Sequence, residues 1–262
     1  MTRRRTVLSM VALAGLLAGC STFVPAPNLA PPTAQAANGA WARVLWRFVN
    51  SHGEVDFEAL SLERGDLDTY VRHVADTALD GLPEGPERLA HMINAYNALS
   101  MFNVLESGVP TTHAGFNKLN FFVFRRLAIG GQRMSLRSFE EDLIRPLARR
   151  SNDPRIHFAL NCSALSCPVL PRMPFTAAAL DAELERETQA FFARPENFRI
   201  DTPGGTLWLS ELLDFYTEDF VPNPAVSLLH YANRYAPRPA PPNLAVRFTP
   251  YDWTIANSRR GR

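Results

Sequence analysis

From Trp41 onward the apolar residues of the chain keep two different rhythms. Trp41, Val44, Leu45, Phe48 and Val49 recur at helical spacing, and Leu67, Tyr70, Val71 and Val74 repeat it. Both stripes predict amphipathic helices. Glu87 to Ser107 predicts a third helix, apolar at Leu89, Met92, Ile93, Tyr96 and Leu99 and stopped by Gly108 and Pro110. Between Phe121 and Ile129 the residues turn aromatic and β-branched, and Gly130-Gly131 follows. That is a strand, a tight turn and a short returning strand. Ser135 or Ser138 then caps a helix whose stripe is Leu136, Phe139, Leu143, Ile144 and Leu147, ending near Arg150.

Arg155 to Asn161 alternates, with Ile156, Phe158 and Leu160 on one side and His157, Ala159 and Asn161 on the other. This is the pattern of a half-buried strand. Beyond it the sequence predicts a helix over Ala177 to Ala193 behind Thr176, and a hairpin of Phe198 to Ile200 with Thr206 to Leu209. Helices over Ser210 to Phe220 and Ala225 to Tyr235 follow, then closing strands at Val246 to Phe248 and Tyr251 to Ile255. Helices and strands interleave irregularly without an internal repeat. The expected fold class is therefore α+β, a helix-rich single domain with a small, mostly antiparallel sheet.

The stretch ahead of this domain has a different character. Arg3, Arg4 and Arg5 precede an apolar run from Val7 to Leu17, which closes in Leu17-Ala18-Gly19-Cys20. The run is shorter than the roughly 18 apolar residues of a membrane span, so it reads as a signal peptide. Its ending resembles a lipobox, in which the thiol is acylated before cleavage leaves it at the new N-terminus. The expected organisation is a signal over residues 1–19, acylated Cys20 with a flexible Pro-rich tether over 20–40, and the α+β domain over 41–262. The expected location is the periplasm-facing cell envelope, with the lipid bilayer as partner through Cys20. Arg4-Arg5-Thr6-Val7-Leu8 also resembles a weak twin-arginine signal, which leaves the export route open.

Hydrophobic residues at 46% and charged residues at 20% describe an ordinary globular protein. A net charge of +1, which turns weakly negative without the signal arginines, calls for no nucleic-acid partner. If Cys20 carries lipid, Cys162 and Cys167 are the remaining thiols. In an oxidising compartment they must be weighed as a disulfide before they are weighed as chemistry.

Three polar features stand out. Glu140 shares a helix face with Leu143, Ile144 and Leu147, and a carboxylate on a buried stripe needs a cation or hydrogen-bond donors; Arg145 and Arg155 are the structural candidates. Next, His157 precedes Asn161-Cys162-Ser163-Ala164-Leu165-Ser166-Cys167-Pro168. An imidazole near a thiol can accept its proton and leave a nucleophilic thiolate. On a continuous strand Cys162 would stand about 16 Å from His157 and on the opposite face. Cys167, just before Pro168, suits the N-cap of a helical turn, which would lower its pKa. His157, Cys162, Cys167 and Glu140 are also suitable zinc ligand types, but their spacing fits no short-knuckle pattern, and no metal or cofactor is expected. Finally, Asn94 and Asn97 are neighbours on one helix face. They suit either a substrate-binding role or a clamp on the backbone of an adjoining loop.

Met92-Ile93-Asn94-Ala95-Tyr96-Asn97-Ala98, Phe139-Glu140 within Ser135 to Arg145, the string from Arg155 through Pro168, and Tyr251-Asp252-Trp253 together resemble the DUF547 family, over about Val55 to Asn257. The resemblance implies a papain- or transglutaminase-like thiol fold, with Glu140, His157 and Cys162 or Cys167 as the catalytic group. Family members commonly follow the Glu with His or Asn, where this chain has Glu141. Two readings follow. One is a cysteine-dependent hydrolase or acyltransferase acting on peptide or amide bonds, with Cys167 or Cys162 as nucleophile, His157 as base and Glu140 orienting the imidazole. The other is a non-enzymatic envelope module that binds a partner or polymer, with a Cys162 to Cys167 disulfide.

Overall fold

The structure, a computed structural model, describes residues 21–260. Met1 to Cys20, on which the expected lipobox and acylation site fall, lie outside the described residues.

The first described element is a strand, β1 (Thr22–Val24), followed by helix α1 (Ala34–Phe48), the short α2 (Phe57–Leu62), α3 (Gly65–Asp76) and the 20-residue α4 (Pro86–Leu105). The stripe read at Trp41 packs against the one read at Tyr70, and the two rings stack at 5.4 Å. Helix α4 is the centre of the domain, since every residue from Met92 to Val104 is buried. A helix covered on all sides has no solvent face on which to place polar groups, so its Asn side chains must find partners inside.

Two small sheets flank the helices. In the first, β2 (Arg125–Ile129) pairs antiparallel with β3 (Gln132–Met134) and parallel with β1. The β2–β3 turn uses positive φ angles at Gly130 and Gly131, and a Cβ on Gly130 would come within 3.1 Å of the Thr77 carbonyl oxygen. In the second, the central β5 (Thr206–Ser210) pairs antiparallel with β4 (Phe198–Asp201) and parallel with β6 (Ala245–Thr249). The fold is the expected α+β single domain, with its strands divided between two mixed sheets.

The expectation of a flexible tether over 20–40 needs correction. Residues 22–24 occupy the open edge of β2 and bury Val24, while Thr33 caps α1, its hydroxyl accepting from Ala36 N–H. The prolines that suggested a linker are compatible with an edge strand and a helix approach. Among the described residues no helix is long and apolar enough to cross a membrane.

Three further segments position the site. A helical run begins with a turn at Leu136–Ser138, capped by Ser135, widens into a π turn over Phe139–Ile144 and continues as α5 (Arg145–Ser151). A 3₁₀ turn, Pro154–Phe158, follows, and after a long irregular segment comes α6 (Leu180–Ala193). The strand expected over Arg155 to Asn161 is therefore a helical turn. Asp153 caps it by accepting from Arg155 N–H, and Pro154 supplies a preset φ at its first position. The alternation misled because both of its faces are inside: His157 and Ala159 are as buried as Ile156 and Phe158.

Candidate functional site

A cavity of about 290 Å³ opens between the π turn, the 3₁₀ turn, the Cys162–Cys167 loop and the C-terminal segment. Glu140, His157, Cys162 and Cys167 all line it. Tertiary folding thus brings together the four residues singled out as catalytic candidates. The continuous strand on which the separation of Cys162 from His157 was reckoned does not form, because the chain turns helically there.

The loop that carries the cysteines is held from both sides. Asn161 Nδ2 donates to the Pro168 carbonyl (2.7 Å), and Asn161 Oδ1 accepts from Ser163 N–H (2.7 Å), closing the loop on itself. Asn97 takes both polar groups of the incoming strand of chain, its Oδ1 accepting from Asn161 N–H (2.7 Å) and its Nδ2 donating to Ala159 O (2.9 Å). On the other side, Leu165 and Ser166 N–H donate to the carbonyls of Thr254 and Asp252. Asn94 makes a similar clamp: it accepts from Trp41 Nε1 (3.2 Å) and Phe175 N–H (3.0 Å) and donates to Phe175 O (2.7 Å). Neither Asn94 nor Asn97 lines the cavity. Both act as clamps on the backbone of the loops that frame the site, the second of the two roles expected of them.

Within the loop the two sulfurs are unequal. Both cysteines are buried and unbridged. Cys167 Sγ accepts from Cys162 N–H (3.1 Å) and from Tyr251 Oη–H (3.2 Å). Burial pushes the Cys167 thiol up, but hydrogen bonds from the Cys162 thiol, the Tyr251 hydroxyl and nearby backbone outweigh it, leaving a pKa below the ordinary thiol value. Cys162 moves the other way. Donating to Cys167 favours its neutral form, burial adds to this, and its pKa rises well above the ordinary value. Of the two, Cys167 is the sulfur more easily ionised and Cys162 the donor. The expected N-cap is absent, however, for no helix follows Pro168 until α6. Donated hydrogen bonds supply what a helix N-terminus was expected to supply.

Glu140 sits in the π turn, where Arg145 N–H reaches back to the Glu140 carbonyl. Pro146 has no N–H to offer the Asp142 carbonyl, and widening the turn relieves the clash of its ring with that carbonyl. The buried carboxylate pairs with neither Arg145 nor Arg155. Its oxygens accept from Tyr96 (3.0 Å) and Tyr216 (2.6 Å) hydroxyls.

The carboxylate bonded to the His157 ring is Asp219 and not Glu140. His157 Nε2 and Asp219 Oδ2 are 2.8 Å apart, and both side chains are almost wholly buried. The His157 ring stacks on Tyr216 at 4.0 Å. Asp219 also binds Arg145 Nε (2.8 Å) and Arg149 Nε (2.6 Å), while Glu141 and Glu218 complete the shell around Arg145. Burial raises the Asp219 pKa, but His157 and the two arginines more than reverse this and hold the carboxyl well below the usual carboxylate range. No hydrogen bond joins the His157 ring to either sulfur among the described residues.

Residues that sequence reasoning missed come largely from the C-terminal third: Tyr216, between two short helical turns, Asp219, within the second of them, and Tyr251. A signal existed for Tyr251 in the Tyr251-Asp252-Trp253 motif. Asp219, in a run of three polar residues after Tyr216, carried none. His113 was also missed; it is fully buried, and its Nε2 lies 2.9 Å from the Cys162 carbonyl oxygen, to which it donates. Burial lowers its pKa to about 4 despite that hydrogen bond. Among the described residues no group of three or more His, Cys, Asp or Glu is placed to hold a metal ion.

Residues 79–192, less than half of the chain, match the family model described as "Protein of unknown function, DUF547". The match covers Glu140, His157, Cys162 and Cys167 and ends before Asp219 and Tyr251. No curated protein and no solved structure matches the chain.

Proposed function

We propose that this domain is a cysteine-dependent hydrolase or acyltransferase acting on peptide or amide bonds, with Cys167 as the nucleophile. The observation that carries the reading is the pair of donors, Cys162 N–H and Tyr251 Oη–H, on a sulfur that lines a cavity. Donors that favour the ionised sulfur make Cys167 the easier of the two thiols to deprotonate. As the thiolate, Cys167 Sγ would attack the acyl carbon, the C–N bond would break to leave a thioester, and the departing amine would take a proton delivered through the His157 imidazole. Water or a second amine would then give up a proton to that imidazole as it releases the acyl group and restores the thiolate.

His157 suits the proton transfers to and from the leaving or entering group. One ring nitrogen is engaged by Asp219, which orients the ring, and the side chain borders the same cavity. Glu140 serves by holding Tyr96 and Tyr216, and Tyr216 in turn supports the imidazole face.

The decisive experiment is alkylation of the unreduced protein with iodoacetamide, read by intact and peptide mass. Modification of Cys167 ahead of Cys162, abolished by Cys167→Ala, is the expected result. The runner-up reading, a non-enzymatic envelope module, draws support from the closeness of the two cysteines, since Cys162 N–H lies 3.1 Å from Cys167 Sγ. An oxidised pair that resists mild reductant would favour it and remove the nucleophile. Lipid anchoring through Cys20 is a separate part of the proposal, suggested by Leu17-Ala18-Gly19-Cys20. Incorporation of labelled palmitate into the wild type and its loss in Cys20→Ser would support an envelope lipoprotein.

A further inference from the structure

Lys118 is the only lysine in the chain; every other side-chain cation apart from histidine is an arginine. It stands at the mouth of the cavity that holds Cys167. Its ammonium lies 3.9 Å from the centre of the Trp253 ring and 5.3 Å from that of Phe215, two rings that stack on each other at 6.1 Å. Arg137, on the turn capped by Ser135, also borders the cavity. Both cations are exposed, and neither has an ion-pair or hydrogen-bond partner among the described residues.

The other charged groups lining the cavity are already engaged. Glu140 is held by two tyrosines, Glu141 by Arg145, and His157 by Asp219. Two unpaired positive charges therefore remain at the entrance. The surrounding wall is apolar, with Phe122, Phe215, Trp253 and Tyr251 contributing ring faces and Leu119 the rim. Burial lowers the Lys118 pKa and Arg137 adds to this, while Glu211 and Cys162 oppose. Glu211 lies near enough to be felt, but its Oε2 accepts from Tyr251 N–H (2.8 Å).

From this arrangement we infer that Lys118 and Arg137 recognise a carboxylate on the substrate, so that the acyl compound handled by Cys167 is an apolar peptide-like molecule bearing a free carboxylate. The inference rests on the proposed thiol chemistry for the word "acyl", and carboxylate is the ordinary anion of a peptide. Lys contributes a compact point charge that the Trp253 face keeps in place, and Arg a planar fork that matches the two carboxylate oxygens. Pairing with an anion would neutralise the two cations at the entrance, and the aromatic wall would take the apolar part of the substrate.

The test compares N-acetyl-Leu-Phe with its C-terminal amide. Calorimetric titration of the wild-type protein should show the free acid binding about tenfold more tightly than the amide. Lys118→Met combined with Arg137→Gln should bring the two to parity, and Lys118→Arg should keep part of the preference. In parallel, the acid should protect Cys167 from iodoacetamide better than the amide does. Equal binding of acid and amide, or no binding of either, would overturn the inference. The thiol reading fails separately, by a Cys167 that resists iodoacetamide in the absence of any peptide, and calorimetry still decides the carboxylate site in that case.

Discussion

The backbone N–H of Cys162 donates to Cys167 Sγ across 3.1 Å, so the residue five positions earlier serves the second sulfur with its main chain as well as its thiol. This asymmetry distinguishes two cysteines that are alike in burial. It also makes Tyr251, from the far end of the chain, the third member of the group.

Tyr251→Phe removes one donor from Cys167 and leaves the ring packing in place. A thiolate that loses a hydrogen bond becomes harder to form, so the pH profile of Cys167 alkylation should move upward and the rate at pH 7 should fall several-fold. The limiting rate at high pH should stay near the wild-type value. An unchanged profile, followed by mass spectrometry, would exclude Tyr251 as a stabiliser of the thiolate.

Asp219→Asn takes a charge from a side chain that is 5% exposed and bridges His157, Arg145 and Arg149. Removing one partner of a buried pair leaves the other uncompensated. The expected loss is about 3 kcal/mol, near the low end for such changes, because Glu141 and Glu218 still reach Arg145. Urea unfolding would measure it. Alkylation of Cys167 should be little affected, since His157 is not bonded to the sulfur, whereas turnover of an amide substrate should drop. A parallel loss of alkylation would mean that His157 activates the thiol directly.

Acid should weaken the fold through His113. The folded state holds it neutral, with a pKa of about 4 against an ordinary value near 6.5. The unfolded chain therefore binds more protons between those values. The contribution of this group to stability is complete above about pH 6.5 and is lost as the pH falls toward 4, by roughly 3 kcal/mol in all. Chemical denaturation at pH 7 and pH 4.5 should show that decline, and His113→Gln should remove part of it, the rest belonging to His91, whose pKa burial also lowers to about 4.

Glu140→Gln tests whether this residue is structural or catalytic. The amide that replaces one carboxylate oxygen cannot accept from a phenol, and hydrogen bonds to a charged group contribute about 1.5–3 kcal/mol each. Stability should fall by about 2–3 kcal/mol while the rate of Cys167 alkylation is preserved. If stability holds and turnover is lost, Glu140 acts on the substrate and not through Tyr96 and Tyr216.

What the sequence determined by itself was local and periodic. The stripes at Trp41 and Tyr70, the α4 core helix, the Gly130-Gly131 turn and the hairpin around β4 and β5 were legible because each rests on spacing within a few residues. The same holds for the signal-like start of the chain and for Glu140, His157, Cys162 and Cys167 as residues of interest.

Tertiary structure decided how those residues act. The alternation at Arg155 to Asn161 gave no warning of a 3₁₀ turn, because a period of two marks a strand only when one face meets water, and here both are buried. The partner of His157 lies 62 residues away, and the donor that separates Cys167 from Cys162 lies 84 residues away. Lys118 became informative only once Trp253 was placed beneath it and Arg137 beside it at one cavity mouth. Periodicity reports which face of an element is covered, whereas long-range partners depend on how the covered faces meet, and one sequence carries no spacing rule for that.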